Sequence, residues 1–324
     1  MNGLIKLALP LLCAAASVMP QVAQAQSASA KVVTIIVPTT PGTGSDIAAR
    51  LLAPKLSKAL GQSVVVENKT GASGTIGIAA VAKAAPDGNT ILFVPNTMAM
   101  VSSLYKNLTW DPVTSFVPVA RVGRMVVAAV VNPQVPAQNL GELVALAKSK
   151  PGQLNYGSPG NGTPHHLRTE QFKQITGINI VHVPYAGSAG AVTDLAGGQT
   201  QVGFFPLHSL LPLAHAGKLR MLATSGETRS SWTPDVPTFR EAGITVLNDH
   251  DWVGVFVPKG TSSDLVSNLS RELQAITSAP DTQAQLAERG IIAWPGGPDD
   301  LGGLLKKELA EWKKVIADSN IVAD

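Results

Sequence analysis

Short apolar runs alternate with stretches of helical spacing along the first hundred residues, and this alternation restricts the fold more than any other feature of the sequence. The runs at 31–38, 63–68 and 90–95 are rich in β-branched residues and predict buried strands. A helical pattern from Asp46 to Leu60 follows the first strand, and a shorter one at 76–88 follows the second. The order β-α-β-α-β predicts a parallel sheet with helices on both faces.

The alternation restarts beyond residue 118 with no Pro/Ser-rich linker in between. Strands are predicted at 119–133, 154–158, 178–185, 200–205 and 219–225, and helices at 140–153, 164–176, 189–199, 263–277 and 299–317. We therefore predict an α/β protein of two lobes joined by crossing strands. Residues 26–125 and 249–324 form lobe 1 in this prediction, and residues 126–248 form lobe 2.

The first 25 residues have the layout of a secretory signal peptide. Lys6 precedes an apolar run from Leu7 to Ala16, and Ala23-Gln24-Ala25 is a cleavage motif, so cleavage is predicted after Ala25. The apolar run is shorter than the roughly 20 residues that span a bilayer. We expect an exported, periplasmic protein. Because the single cysteine, Cys13, lies in this segment, the exported chain has no disulfide.

Charge limits the classes of partner. The formal net charge is +3, the loss of Lys6 leaves +2, and the sequence contains no Lys/Arg run. A nucleic-acid-binding protein usually carries a much stronger basic patch. We expect no nucleic-acid partner.

Three predicted strand-to-helix junctions combine glycine with small hydroxyl residues, namely Thr39 to Asp46, Ser158 to Pro164 and Ala186 to Gly190. Helix N-termini present unpaired N–H groups and a partial positive charge, so such loops suit an anion. Simple N-capping by Ser45, Asp46 or Thr163 is the alternative for each loop taken alone. None of the loops contains Lys or Arg, which favours a carboxylate over a phosphate.

Nucleotide and enzyme motifs are incomplete. The chain has no G-x-x-x-x-G-K-[ST] loop, and Gly42-Thr43-Gly44 only begins a dinucleotide fingerprint. His166 and Glu170 share a helix face but lack a third metal ligand, and His182 is interpreted as a core histidine. We expect no metal and no cofactor. A secreted α/β hydrolase or metal-dependent enzyme using Ser188, His166 and Asp194 stays open as the alternative.

The series of motifs in this chain resembles the substrate-binding receptors of tripartite tricarboxylate transporters, the Bug family. It includes "VPTTPGTGSDIAARLLAPKLSKALGQSVVVENKTGASGTIG", "VAKAAPDGNTIL", "LNYGSPGNGTPHHL", "VHVPYAGSAGAVTDLAGGQ" and "PDVPTFREAG". The resemblance implies a two-lobed periplasmic binding protein of the Venus-flytrap form, type II, with the ligand cleft between the lobes. It also implies a monomeric receptor, not an enzyme, that closes on a small organic acid and presents it to membrane permease subunits.

Residues that match family positions at the cleft, together with their neighbours in the loops, form the predicted site. The candidate ligand-binding residues are Thr39, Thr40, Pro41, Gly42, Thr43, Gly44, Asp46, Asn96, Thr97, Ser158, Gly160, Asn161, Gly162, Thr163, His165, Ala186, Phe205 and Pro206.

Two departures from the family pattern bear on the ligand. Thr39, Thr40 and Thr43 stand where the family's first loop has Phe, Pro and Gly, which adds hydroxyl donors. Phe205 and Pro206 stand where the family often has Asp and Asn, which removes a partner for an ammonium group. A carboxylate with an apolar body, a dicarboxylate that can be aromatic, is therefore favoured over an amino acid.

Overall fold

The computed structural model describes residues 32–247, 251–319 and 321. The predicted signal peptide lies outside the described residues. The strands are β1 Val33–Val37, β2 Val64–Asn68, β3 Thr90–Pro95, β4 Phe116–Met125, β5 Val127–Val131, β6 Asn155–Ser158, β7 Val181–Pro184, β8 Val202–Pro206, β9 Arg220–Thr224, β10 Asp251–Pro258 and β11 Ile291–Gly296. The helices are α1 Gly44–Leu60, α2 Thr75–Ala82, α3 Thr97–Leu104, α4 Leu140–Ser149, α5 Pro164–Thr176, α6 Ser188–Gly197, α7 Leu207–His215, α8 Ser263–Ser278, α9 Pro280–Ala287 and α10 Pro298–Ser319.

These strands form two mixed sheets. The first sheet has the order β11-β4-β10-β3-β1-β2, and the second has the order β7-β6-β8-β5-β9. β1 runs parallel to β2 and β3, as predicted, but β10 is antiparallel to β3 and β4, and β11 is antiparallel to β4. The expectation of a purely parallel sheet is therefore corrected. β10 and β11 of the first sheet and β5 of the second sheet are the strands that run against the β-α-β strands.

The passage from one sheet to the other is short. The predicted strand at 119–133 is two strands, because β4 ends at Met125 in the first sheet and β5 begins at Val127 in the second. Only Val126 separates them, and it is 2% exposed. One apolar run thus supplies strands to both sheets. The two sheets agree with the predicted two-lobed α/β fold, and the exact lobe boundaries stay a prediction.

Helices cover both faces of each sheet. On the first sheet, α1, α8 and α9 pack on one face and α2, α3 and α10 pack on the other. On the second sheet, α4 and α5 pack opposite α6 and α7. Leu167 of α5 also belongs to the apolar cluster that contains Leu305 and Trp312 of α10. The C-terminal helix therefore contacts both halves of the molecule.

No helix in the described part of the chain is both long enough and apolar enough to cross a bilayer.

Candidate functional site

The predicted site residues gather where strands end. Thr39 follows β1, Asn96 follows β3, Ser158 ends β6, Ala186 lies just beyond β7, and Phe205 and Pro206 end β8. In open α/β sheets, ligands bind at the carboxyl ends of the strands. Both sheets thus contribute residues of the predicted set from their ligand-binding edges.

The first loop, which we define as residues 38–46, is stabilised from within by Asp46. Its Oδ2 accepts the Gly42 N–H (2.9 Å), and its Oδ1 accepts from Asn68 Nδ2 (2.8 Å) and Arg50 Nε (3.0 Å). Burial alone would raise the pKa of the Asp46 carboxyl, but these hydrogen bonds outweigh burial and hold its pKa below the usual value. The structure thus gives the Asp46 side chain three partners that shape the loop.

Three hydroxyl groups cluster in the same loop. Thr39 Oγ1 lies 2.7 Å from Thr43 Oγ1 and 2.9 Å from Ser45 Oγ, and Thr43 Oγ1 donates to the Thr40 carbonyl (2.9 Å). Thr43 is the residue before α1, yet its side chain makes no capping hydrogen bond to the helix. The N–H groups of the first turn of α1 are therefore not capped by Thr43.

The second loop, which we define as residues 158–163, has the same property. Thr163 occupies the N-cap position before Pro164, as predicted, but its Oγ1 donates to the Gly160 carbonyl (2.8 Å) and makes no capping hydrogen bond to α5. Ser158 Oγ also lies within hydrogen-bond distance of the Gly160 carbonyl (3.1 Å), and Tyr185 N–H donates to the Ser158 carbonyl (2.9 Å). The second loop is thus tied to the segment that contains Ala186, which is itself exposed.

The second loop touches elements of the first sheet's half. Ser73 Oγ donates to the Asn161 carbonyl (3.4 Å) and in turn accepts from Tyr105 OH (3.4 Å). Gly162 has φ +70°, and a Cβ at this position would collide with the Leu104 side chain. Glycine is required here by both the backbone conformation and the close approach.

A buried polar cluster links the same two halves. Asp251 Oδ1 accepts from Asn96 Nδ2 (3.2 Å) and from Arg168 Nη2 (2.8 Å), and all three residues are buried. Asn96 is 1% exposed, and its Oδ1 is buried without a hydrogen-bond partner among the described residues. Thr97, the next predicted site residue, begins α3 beside it. Arg168 and Asp251 thus form a buried ion pair.

His165 stands out among the predicted residues because both of its ring nitrogens are buried and have no hydrogen-bond partner among the described residues. Burial lowers the pKa of His165 to about 4, with the Asp251 charge opposing and the Arg168 charge adding to this effect. The ring is therefore neutral at pH 7 and offers one donor and one acceptor. The Phe205 ring lies 5.2 Å from it between centroids, and Phe205 itself is 0% exposed.

Asp194 and His166, two residues of the hydrolase alternative, form hydrogen bonds with groups outside the predicted triad. Asp194 Oδ2 accepts from Tyr185 OH (2.8 Å), and His166 Nδ1 accepts from the Gly162 N–H (3.0 Å). Within the described residues, no group of three His, Cys, Asp or Glu side chains could hold a metal ion.

Some residues that contact the predicted set carry no sequence signal. Asp251, Ser73 and Leu104 contact predicted residues from separate segments and carry no local motif. His182 was interpreted as a core histidine, but its Nε2 lies 2.6 Å from Ser158 Oγ at the start of the second loop. The sequence signal for His182 was that "HVPY" and "YGS" both lie at the carboxyl ends of predicted strands.

Comparison with known proteins decides the family. Residues 48–321 match the tripartite tricarboxylate transporter family receptor. The chain belongs to this family. Members of the TctC receptor family are substrate-binding proteins rather than enzymes, so the hydrolase alternative is wrong.

Solved structures of TctC-type proteins are similar over most of this receptor. A structure of R. palustris Rpa4515 with adipate is 34% identical, with a TM-score of 0.81 over 90% of this chain and 97% of that one. The periplasmic binding protein BugD is 31% identical, with a TM-score of 0.79 over 90% and 98%. MatC from Rhodopseudomonas palustris with bound malate is 28% identical, with a TM-score of 0.79 over 88% and 98%. The receptor is thus a Bug-type solute-binding protein.

Proposed function

We propose that this receptor binds a small dicarboxylate between its two halves in the periplasm and delivers it to a tripartite tricarboxylate-type permease. The observation that carries the proposal is the pair of loops at 38–46 and 158–163, each rich in glycine and hydroxyl groups and each at the start of an uncapped helix. The adipate and malate bound by two structural relatives are both small dicarboxylates, which supports this ligand class.

The chemistry of the loops suits a carboxylate. Neither loop contains Lys or Arg, and the nearby Arg168 is already paired with Asp251. Backbone N–H groups at the starts of α1 and α5 and the hydroxyls of the first loop are neutral donors, and each helix adds a partial positive charge. Such a site can bind one carboxylate group at each loop. Neither loop contains a cation whose charge the ligand would have to neutralise.

His165 and Asn96 supply polar groups for the other end or the body of the ligand. The neutral His165 ring can donate one hydrogen bond to a carboxylate, and Asn96 Oδ1 can accept one from a hydroxyl group. Phe205 is fully buried and supports the His165 ring instead of presenting a face of its own. The proposed ligand is a dicarboxylate with an apolar body, which can be aromatic.

Closure follows from contacts on both sides of the cleft. A ligand held by both loops binds the closed arrangement better than an open one, so it shifts the population toward closure. The closed form is the one that the permease would engage. Cleavage of the signal peptide after Ala25 places the receptor where such a permease meets its substrate.

The test uses one variant on each side. Thr43→Ala and Asn161→Ala are each expected to weaken adipate or malate binding by about tenfold to a hundredfold, because a hydrogen bond to a charged group contributes roughly 1.5–3 kcal/mol. Isothermal titration calorimetry measures this, with Asn179→Ala as the control, since Asn179 is exposed just before the amino end of β7. If a variant binds as tightly as the wild type, its residue does not belong to the proposed site.

A thermal-shift panel tests the ligand class itself. Adipate, malate, phthalate and the amino acid glutamate are compared at equal concentration. We expect at least one of the first three, which lack an ammonium group, to stabilise the protein. A panel in which only glutamate stabilises the protein would contradict the ligand class, and adipate without phthalate would limit the body to aliphatic chains.

A further inference from the structure

Three aromatic rings stack beneath the second loop. The rings of His166 and His182 are 4.0 Å apart and only 7° from parallel. The His182 ring also stacks on Tyr156 at 4.8 Å. The rings come from α5, β7 and β6, which are the elements that surround the loop.

The two histidines hold opposite ends of the loop. His182 Nε2 lies 2.6 Å from Ser158 Oγ, where β6 ends, and His166 Nδ1 accepts the Gly162 N–H at 3.0 Å, near the start of α5. An acceptor at Nδ1 has no proton there, so this hydrogen bond exists only when His166 is neutral and carries its proton on Nε2. His182 is less restricted, because Nε2 can donate to the serine hydroxyl or accept from it.

We propose that His166 and His182 are positioning residues that shape the ligand loop at 158–163, and that proton uptake at His166 Nδ1 releases Gly162 and weakens carboxylate binding. This inference rests on the proposed function, because the loop is the proposed carboxylate site. Gly162 also contacts Leu104 of the other half, so release of its N–H loosens the loop where the two halves meet.

The charged side chains next to the stack, Glu170 and Lys173, are paired with each other. Glu170 Oε1 accepts from Tyr156 OH (2.5 Å) and from Lys173 Nζ (2.6 Å), and Lys173 lies 5.8 Å above the Tyr156 ring. Burial raises the pKa of Tyr156, with the Glu170 charge adding to the effect, so the phenol stays neutral.

Of the other titratable groups near α5, Arg168 is paired with Asp251, His165 is neutral, and the buried Glu308 of α10 interacts with the Arg168 charge. The stack places its two imidazoles face to face at 4.0 Å, where two positive charges would repel each other.

The first test needs no ligand. The ¹⁵N and ¹H shifts of the Gly162 amide are followed from pH 5 to pH 8 in the wild type, in His166→Asn and in His215→Asn. Asn Oδ1 stands near the place of His Nδ1, so His166→Asn keeps an acceptor that does not titrate. His215 is exposed at the end of α7 and provides the matched control.

We expect the Gly162 amide to titrate in the wild type and in His215→Asn and to stay constant in His166→Asn. A constant Gly162 signal in the wild type would overturn the inference, and so would an unchanged titration in a folded His166→Asn variant. The wild-type titration decides the matter even where the variant fails to fold.

The second test measures binding. Adipate affinity of the wild type is expected to fall by up to about tenfold per pH unit once the pH drops below the midpoint of the Gly162 titration. His166→Asn should bind with an affinity that does not change with pH, whereas His182→Gln should keep the pH dependence. Loss of the pH dependence in His182→Gln instead of His166→Asn would overturn the assignment. If neither adipate nor malate binds at any pH, the proposed ligand class fails while the amide titration still tests the histidines.

Discussion

Asp46 is a buried carboxylate with three hydrogen-bond donors in the first loop. Its partners come from the loop itself (Gly42), from its own helix (Arg50) and from the end of β2 (Asn68). A side chain so fully engaged fixes the position of the loop backbone. At the scale of one residue, the shape of a ligand loop thus depends on a carboxylate that stays ionised.

Asp46→Asn tests this role. The amide group cannot accept all three hydrogen bonds, so the free energy of unfolding should fall by about 1–3 kcal/mol at pH 7. Because the folded-state pKa of Asp46 is lowered, its stabilisation is present above the ordinary carboxyl pKa and is lost as the pH falls through the folded-state pKa. Urea denaturation at pH 7 and at pH 3.5 should show the gap between wild type and variant narrowing. Asp235→Asn, at an exposed position, is the control.

The C-terminal helix α10 carries a buried carboxyl group, Glu308, into the core. Trp252 Nε1 donates to Oε1 (2.6 Å) and Trp312 Nε1 lies 3.4 Å from Oε2. Burial raises the pKa of Glu308 to about 8, and the Asp251 charge adds to this effect against the indole hydrogen bonds. At the scale of an element, α10 is thus attached to β10 by a carboxyl group that is protonated at neutral pH.

The free energy of unfolding should therefore fall as the pH becomes alkaline, because α10 packs through the Glu308 carboxyl group. A raised folded-state pKa means that stability is lost as the pH rises from the ordinary carboxyl pKa through about 8. Glu308→Gln should unfold with a free energy close to that of the wild type at about pH 4 and exceed it by on the order of 4 kcal/mol at about pH 9. Thermal denaturation at both pH values measures this. An equal gain from Glu311→Gln, on the exposed face of α10, would show that the effect is not specific to the buried group.

Most of the elements could be predicted from local pattern, but a few could not. β1 to β3 and α5 lie close to their predicted bounds because apolar runs and turn residues mark them. α7 contains Pro212 and β11 contains Pro295, which obscure their patterns. At the site, the two loops were predictable from glycine and hydroxyl composition. Asp251 and Ser73 were not, because only the tertiary fold brings them into contact with the predicted residues.

The two halves of the molecule are joined by polar side-chain contacts as well as by chain crossings. Arg168 of α5 pairs with Asp251 of β10 at 2.8 Å, and Gln174 Nε2 donates to the Val315 carbonyl of α10 (3.0 Å). The ion-paired side chains are 3% and 8% exposed. At the scale of the whole molecule, α5 is thus the helix through which the second sheet's half contacts the first.

Breaking this ion pair on one side should cost more than removing it. Asp251→Asn leaves the Arg168 charge buried without its carboxylate, and we expect the free energy of unfolding to fall by about 3–5 kcal/mol. The double variant Arg168→Met/Asp251→Asn should recover part of that loss, because no uncompensated charge remains. Chemical denaturation of both single variants and the double variant gives the coupling energy. Additive effects would mean that the two side chains do not interact in solution.

The pairing of Met125 with Asp251 has a consequence for how such receptors can be recombined. The chain leaves the first sheet at Met125 and re-enters it at Asp251, and these two residues are direct neighbours in the β4–β10 ladder. Residues 126–247, which contain all described strands of the second sheet, therefore have the topology of an insertion with adjacent ends. We expect that such a segment can be exchanged as one cassette between relatives while the strand pairings of the first sheet are retained.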